Sequence, residues 1–170
     1  DMVDLCNDLS KTAGFEGLSF VQGTIENAEM DSSNVLIALH ACDTATDEAI
    51  FKGIKANAKI IMVAPCCHKQ IRNQIKPQDE LNLLSKFGIL EERLAESLTD
   101  LLRALILEAY GYQTKVFEFI SSEHTPKNLM ISAIYKGLDN KKKIAKLNEI
   151  QALKLRFGID FHYLERLLGI

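Results

Sequence analysis

The chain has 170 residues, of which 47% are hydrophobic and 25% are charged, and these values fit one globular domain with its own core. The formal net charge of −3 argues against a protein that coats nucleic acid non-specifically, because such proteins are strongly basic. No apolar run approaches the roughly 18 residues that span a bilayer, and no signal-peptide pattern is visible, so we expect a cytoplasmic protein without a membrane partner. Its four cysteines are therefore expected to be free thiols.

The first part of the chain alternates helical and strand patterns. Its predicted elements are a helix over residues 2–13, a short strand over 18–21, a strand over 35–39, a helix over 44–56 and a strand over 59–64. The last two strands are continuous apolar runs, which are typical of strands buried on both faces. Thr44 and Asp47 have the spacing of a capping box at the start of the second helix.

The second part of the chain predicts a long helix, a hairpin and a helical tail. Its predicted elements are a weakly helical segment 69–79, a helix up to Gly111 with the apolar stripe Leu90, Leu94, Leu98, Leu101, Leu105 and Ala109, strands 112–120 and 128–135, and a tail 141–168 broken near Gly158. The turn-rich residues between the two strands favour an antiparallel pair. We therefore predict an α/β domain over residues 1–137, with a parallel sheet, helices on its faces and a terminal antiparallel hairpin, followed by a C-terminal helical tail over 138–170.

Polar and thiol side chains follow three of the predicted strands at the point where each strand ends. They are Gly23, Thr24 and Ile25 after the first strand, His40, Cys42 and Asp43 after the second, and Pro65, Cys66, Cys67 and His68 after the third. Ligands of open α/β sheets bind beyond the carboxyl ends of the strands. Simpler explanations exist for each: a turn glycine, an Asp43 helix cap, cysteines as small buried hydrophobes and a surface His68. The three clusters together favour a functional site.

Two other chemistries are compatible with these residues. His40, Cys42, Cys66, Cys67 and His68 offer nitrogen and sulfur ligands for zinc, but the sequence contains no C-x-x-C pair and adjacent cysteines rarely bind one ion, so no metal site is predicted. A cysteine thiol beside His68 and near a helix start would have a lowered pKa and would suit a nucleophile, as in methyltransferases that act on cytosine C5. No second catalytic motif supports that alternative.

The strand-end motifs carry a resemblance to a known family. Residues 40–47 read H-x-C-x-x-x-T-D, and the next strand ends in Cys66-Cys67-His68. In this pairing the sequence resembles class I methyltransferase domains dependent on S-adenosylmethionine (SAM), whose fourth and fifth strands end in these motifs. The family includes bacterial methyltransferases without an assigned substrate and a eukaryotic tRNA 2′-O-methyltransferase of the acceptor stem. Segments 103–105 and 123–129, the latter containing Pro126, are also similar, and the resemblance covers roughly residues 1–136.

The resemblance implies a Rossmann-like fold with a seven-stranded sheet whose last strand is antiparallel, and SAM as the cofactor. It implies that Gly23, Thr24 and Ile25 lie near the adenine, and that Leu39 and His40 lie beside the methionine part. The implied catalytic residues are His40, Asp43, Cys66, Cys67 and His68, and the implied substrate contacts are Pro65, His124, Lys127 and Asn128. RNA is the acceptor in one branch of the family, so an RNA substrate is an expectation by analogy.

One departure from the family pattern concerns the cofactor. The family carries a glycine-rich turn after its first strand and an acidic residue after its second, whereas the glycines of this chain never form G-x-G. We interpret the chain as an N-terminally truncated domain that begins at the third strand and binds cofactor weakly by itself. The edge of the fourth strand is then expected to pair with another chain, giving a homo-oligomer. The alternatives to a methyltransferase are a non-catalytic domain of the same fold and a zinc- or thiol-dependent protein.

Overall fold

The computed structural model describes residues 1–121, 123–125 and 127–170, so Ser122 and Pro126 of the turn-rich segment lie outside the described residues. The elements are, in chain order, α1 Met2–Thr12, β1 Val35–Leu39, α2 Thr44–Lys55, β2 Ile60–Ala64, α3 Lys69–Arg72, a 3-10 helix Asp79–Ser85, α4 Gly88–Ala109, β3 Tyr112–Glu118, β4 Leu129–Tyr135, α5 Asn140–Phe157 and α6 Tyr163–Leu168. The protein is therefore a mixed α/β structure, as the sequence predicts.

The described strands form one sheet in the order β1-β2-β4-β3. β1 and β2 are parallel, with Leu39 opposite Ala64 at their carboxyl ends. β4 is antiparallel to both of its neighbours, and its pairing with β3 sets Tyr112 opposite Tyr135. The predicted terminal hairpin is confirmed, and it lies beside β2 with β4 inside and β3 at the edge. The sheet has four strands within the described residues, one fewer than the five predicted for a domain that begins at the third of the family's seven strands.

The core lies between one face of the sheet and helices α2 and α4. Ile61 and Val63 of β2 and Ile131 of β4 are fully buried there against Leu102 and Ile106 of α4. Burial of each such side chain contributes about 1.5–3 kcal/mol to stability. This layer fixes the position of α4, which carries charged residues of the candidate site.

The C-terminal helices pack into the same core. Ile150 of α5, Ile159 of the connection and Leu164 of α6 all belong to the buried cluster. The break at Gly158 is confirmed, because α5 ends there with φ +65°, and a Cβ at this position would collide with the backbone of Lys76. Helices α5 and α6 are therefore held to α4 and the sheet by a continuous apolar contact. None of the described helices is long and apolar enough to cross a membrane.

The predicted strand over residues 18–21 is wrong. The structure has no strand between α1 and β1, and Leu18 and Val21 are exposed. A strand requires a neighbour to bond its backbone, and Phe20 instead bonds the side chain of Asn7. Its N–H donates to Asn7 Oδ1 at 2.8 Å, and its carbonyl accepts from Asn7 Nδ2 at 3.0 Å. A side chain of α1 thus occupies the backbone groups that a sheet would use.

The expectation of helices on both faces of the sheet is also wrong for the described residues. Val35, Ile37 and Leu39 point to the face opposite the core and are exposed, Ile37 by 60%. β1 also lies at the edge of the sheet, with β2 as its one strand neighbour in the described part of the chain. Its apolar pattern suits burial on both faces, but no described helix covers the second face. Such an edge is prone to pair with another chain.

We expect the isolated chain to self-associate through the edge and open face of β1. Replacing Ile37 with lysine adds a charge that opposes strand pairing, so it should shift the protein toward the monomer. Sedimentation velocity at roughly tens of micromolar protein, a range in which weak dimers dissociate, measures this shift. Ile144→Lys is the matched control, because Ile144 is also exposed, by 61%, but lies on helix α5 and not in the sheet. A wild-type chain that stays monomeric at the highest concentration tested would contradict this expectation.

The predicted apolar stripe of α4 is correct only in part. Leu98 and Ala109 are buried and Leu94 and Leu105 pack against the core as predicted, but Leu90 and Leu101 are exposed. Leu102 and Ile106, which the prediction left out, are fully buried. Two charged residues, Asp100 and Arg103, lie on the buried face of the helix. The predicted stripe counted only apolar residues, so it left out these two charged residues of the buried face.

Candidate active site

The loops that follow β1 and β2 meet at the carboxyl end of the sheet. After β1 the backbone turns at His40, with φ +59°, and again at Asp43, with φ +53°. A positive φ costs a non-glycine residue about 1–2 kcal/mol, and such strain is concentrated at functional sites. These turns bring Cys42 Sγ to within 3.0 Å of Cys66 Sγ in the loop after β2. The two motifs therefore form one structural unit.

Three thiols cluster at this junction. Sγ atoms of Cys42, Cys66 and Cys67 all lie within 4.8 Å of one another, and the Cys66–Cys67 distance is 3.7 Å. Hydrogen bonding with Cys42, followed by burial and the contact with Cys67, raises the pKa of the Cys66 thiol to about 12. Only the thiolate is an effective nucleophile, so this environment does not favour Cys66 as the attacking group.

Asp43 connects the two loops. Its Oδ1 accepts a hydrogen bond of 3.2 Å from the backbone N–H of Gln70, which belongs to α3 after β2. Asp43 occupies the N-cap position of α2 but makes no capping bond with its side chain. The interpretation of Asp43 as a helix cap is therefore wrong. The predicted capping box is also wrong, because the carboxylate of Asp47 is bonded by Arg103 instead.

A buried arginine organises the base of the site. The guanidinium of Arg103 is fully buried and donates to Asp47 at 2.7 and 3.2 Å, to Asp100 at 3.1 Å and to the carbonyl of Asp43 at 2.8 Å. Burial disfavours its charge, but Asp47 and Asp100 outweigh that effect and raise the pKa of the guanidinium above its usual value. Arg103 thereby fixes α2, α4 and the loop after β1 to one another.

His68 is held in place by the same network. Its Nε2 lies 3.1 Å from Asp100 Oδ2, and its side chain is only 6% exposed, so the interpretation as a surface residue is wrong. An ionised Asp100 accepts this hydrogen bond from Nε2, and in the neutral imidazole Nδ1 then keeps its lone pair. Nδ1 is buried and has no partner among the described residues. An imidazole oriented by a carboxylate, with its second nitrogen uncommitted, is a typical arrangement of a general base.

A cavity of about 190 Å³ adjoins His68. Its lining residues are Cys66, Cys67, His68, Lys69, Arg72, Glu92, Ala95, Glu96 and Lys127. Lys127 forms an ion pair with Glu96 at this cavity. Burial raises the pKa of Glu96, but Lys127 and Arg93 outweigh it and leave this pKa below its usual value. Arg72 lies 3.8 Å from Glu92 in the same lining, so the three cations Lys69, Arg72 and Lys127 exceed the two carboxylates by one charge, and Lys69 is the cation best placed to meet an anionic group.

The residues expected to contact the cofactor are only partly brought together. Ile25 and Leu39 line one groove along β1, together with Glu29 and Met30. Gly23 and Thr24 are exposed in the irregular segment after α1, and His40 is exposed at the end of β1. These three residues do not line the groove.

The residues expected to contact the substrate are also divided. Lys127 lines the cavity beside His68, and Pro65 is buried directly before the thiol pair. His124 is exposed and does not line the cavity. Asn128 is buried, and its Nδ2 donates to the carbonyl of Ile120 at 2.7 Å, so its side chain holds the ends of the β3–β4 connection together.

Sequence reasoning missed the roles of Asp100 and His162. Asp100 orients His68 through its hydrogen bond to Nε2. His162 is fully buried beside the network, where burial and then the charge of Arg103 lower the pKa of its imidazole to about 3, so His162 stays neutral. The sequence contained a signal for the role of Asp100, because Asp100 and Arg103 stand one turn apart within the apolar pattern of α4. Charges at core-facing positions of a helix are rarely buried unless they are paired. No comparable signal marks His162.

Comparisons with known proteins agree with a methyltransferase-like domain. A family model described as a methyltransferase domain matches residues 1–74, which contain both strand-end motifs. The chain is 29% identical over 149 aligned residues to a glutathione S-transferase C-terminal domain-containing protein of Bos taurus, and 30% identical to the proteins of that name from Macaca fascicularis and Homo sapiens. Each alignment covers 74% of this chain and 23% of the relative, so the chain spans about a quarter of their length. No solved structure matches the chain significantly.

Proposed function

We propose that this chain forms the acceptor side of a SAM-dependent methyltransferase, with the methyl acceptor in the cavity beside His68. The observation that carries the proposal is the meeting of the two strand-end motifs on neighbouring parallel strands, at the end of the sheet where α/β proteins bind ligands. Residues 1–74, which match a methyltransferase domain, supply both motifs. The antiparallel β4 between β2 and β3 agrees with the hairpin that the family resemblance implies.

The described residues fit only one side of a SAM site. Ile25 and Leu39 offer apolar contacts in the groove along β1, but Gly23, Thr24 and His40 lie outside its lining. The sequence also lacks a glycine-rich turn that would let backbone N–H groups approach the cofactor. We infer that residues outside this chain complete the site, at the edge of β1 that has no strand neighbour among the described residues.

When bound, SAM supplies the methyl group on its sulfonium carbon. The chain's own contribution is to hold the acceptor in line and to take up its proton. His68 Nδ1 is the atom proposed to accept that proton from a hydroxyl or an amine. Asp100 then stabilises the imidazolium, and Arg103 prevents Asp100 from moving away from the ring. Asp43 keeps the loop after β1 bonded to Gln70 while the acceptor is bound.

We further propose RNA as the acceptor. Lys69, Arg72 and Lys127 line the cavity, where ammonium and guanidinium groups suit the phosphates next to a reacting nucleotide. Phosphate contacts position a nucleic acid without requiring a basic protein overall, which reconciles this proposal with the net charge of −3. The RNA branch of the resembling family is the analogy behind this choice.

We expect S-adenosylhomocysteine, titrated calorimetrically, to give no binding heat with this chain and a clear isotherm with a longer chain in which a glycine-rich strand precedes α1. The reason is that the described residues supply only one wall of the site. They leave the polar ribose and amino-acid parts of S-adenosylhomocysteine without hydrogen-bond partners. Micromolar binding to the 170-residue chain would refute the incomplete-site argument. Binding to neither chain would refute the methyltransferase proposal and favour a domain that keeps the fold without the cofactor.

A further inference from the structure

The thiol cluster of Cys42, Cys66 and Cys67 is not required by proton transfer at His68. Cys42 stands 24 residues before Cys66 in the sequence, and the parallel pairing of β1 with β2 brings them together. The Cys42–Cys66 distance of 3.0 Å is well beyond the roughly 2.05 Å of a disulfide. Three thiols that converge from two loops, one of them exposed, form a set of soft ligands with an open side.

The spacing of the three sulfur atoms fits a single metal ion. A zinc ion bound at about 2.3 Å by each of two thiolates separates their sulfur atoms by about 3.8 Å in a regular tetrahedron. The Cys66–Cys67 pair is at 3.7 Å, the Cys42–Cys66 pair at 3.0 Å, and all three atoms lie within 4.8 Å of one another. The Cys42–Cys66 pair needs to open by about 0.8 Å to reach the tetrahedral spacing, and the Cys66–Cys67 pair is already there. The fourth tetrahedral position stays open, as it does in zinc sites that exchange a water molecule.

The charges around the cluster also suit a thiolate-bound ion. Binding of Zn²⁺ by three thiols releases three protons to the solvent and leaves a complex with a net charge of about −1. Lys69, Arg72 and Lys127 line the cavity that Cys66 and Cys67 also line, and they exceed its carboxylates, Glu92 and Glu96, by one charge. Cys42 is exposed, which gives the ion a path of entry.

We propose that Cys42, Cys66 and Cys67 bind one Zn²⁺ ion as thiolates and thereby fasten the loop after β1 to the loop after β2. The sequence did not predict this site because it contains no C-x-x-C pair and because adjacent cysteines rarely bind one ion. The strand pairing brings Cys42 to this pair as the third ligand, and the 3.7 Å between Cys66 Sγ and Cys67 Sγ shows that here the adjacent thiols point the same way. The ion would lie next to the acceptor cavity, because Cys66 and Cys67 line it. Its binding does not depend on whether the protein transfers methyl groups.

The test is metal stoichiometry in the reduced chain. The purified protein is kept in a phosphine reductant, loaded with ZnCl₂, freed of excess metal by gel filtration and analysed by elemental mass spectrometry. We expect one zinc per chain, and a thiolate-to-metal charge-transfer band when CoCl₂ replaces zinc. Cys42→Ser, Cys66→Ser and Cys67→Ser should each weaken zinc binding by more than about 100-fold, which exceeds the usual effect of losing an outer-shell partner.

Cys6→Ser is the matched control, because Cys6 lies on α1 and is not part of the cluster. It should retain one zinc and the cobalt band. Circular dichroism of each variant in the absence of metal separates ligand loss from unfolding. The proposal is overturned if the folded, reduced wild type holds no more zinc than Cys42→Ser, or if Cys6→Ser loses the ion equally. Failure of this test leaves the methyltransferase proposal intact, because S-adenosylhomocysteine binding is measured separately.

Discussion

Replacing His68 with alanine is expected to lower the turnover of methyl transfer by about 100- to 10,000-fold in the cofactor-binding form of the protein, because it removes the proposed general base. Cofactor affinity should stay unchanged, since His68 lines the acceptor cavity and not the groove along β1. The measurement is steady-state transfer from labelled SAM to RNA, together with the calorimetric affinity for S-adenosylhomocysteine.

Asp100→Asn provides the companion variant for His68. It preserves the shape of the side chain but removes the carboxylate that fixes the proton on Nε2, so turnover should also fall while acceptor KM changes little. A loss of turnover and cofactor affinity in equal measure, in either variant, would show that the pair is structural and not a base with its orienting group. Circular dichroism and thermal melting of both variants establish that the fold is intact.

Replacing Arg103 with leucine is expected to destabilise the chain by about 3–5 kcal/mol, because it leaves buried carboxylates without their partner. Arg103 is fully buried, and its donors satisfy Asp47, Asp100 and the carbonyl of Asp43. Urea unfolding followed by circular dichroism measures the change in the free energy of unfolding. A single transition in each variant is needed for that comparison.

Arg93→Leu is the matched control for Arg103. Arg93 lies on the same helix and pairs with Glu96 at 3.1 Å, but its side chain is 55% exposed. Pairs exposed to water contribute roughly 0–1 kcal/mol, so this variant should unfold close to the wild type. If both variants lower the free energy of unfolding by the same amount, the buried network contributes no more to stability than a surface ion pair.

The Arg103 network explains how a site formed by short loops keeps a defined geometry. The loops after β1 and β2 are irregular and carry backbone strain at His40 and Asp43. Arg103 bonds the first loop through the carbonyl of Asp43 and orients His68 of the second through Asp100. The rigid helix α4 therefore sets the position of both loops, which is how precise sites are supported when their side chains lie outside regular structure.

The sequence alone predicted the four strands that form the sheet, and it marked three strand-end clusters, of which the two after β1 and β2 meet in the structure. Apolar runs at residues 35–39 and 59–64 specify buried strands by composition, and the structure assigns them as β1 and β2 within one residue. The same local reasoning failed for residues 18–21, where Asn7 of α1 bonds the backbone of Phe20. A strand is stable only when a neighbour pairs with it, and no local pattern specifies that neighbour.

Only the tertiary structure decided which side chains work together. The parallel register of β1 and β2 brings Cys42 to Cys66, and the packing of α4 against the sheet places Asp100 against His68. Arg103 reaches Asp47 across 56 positions of sequence. Strand composition is a local property, whereas these contacts depend on the distances between elements that are remote in the chain. The sequence therefore specified the candidate residues, and the packing of α4 and the pairing of two strands specified the site.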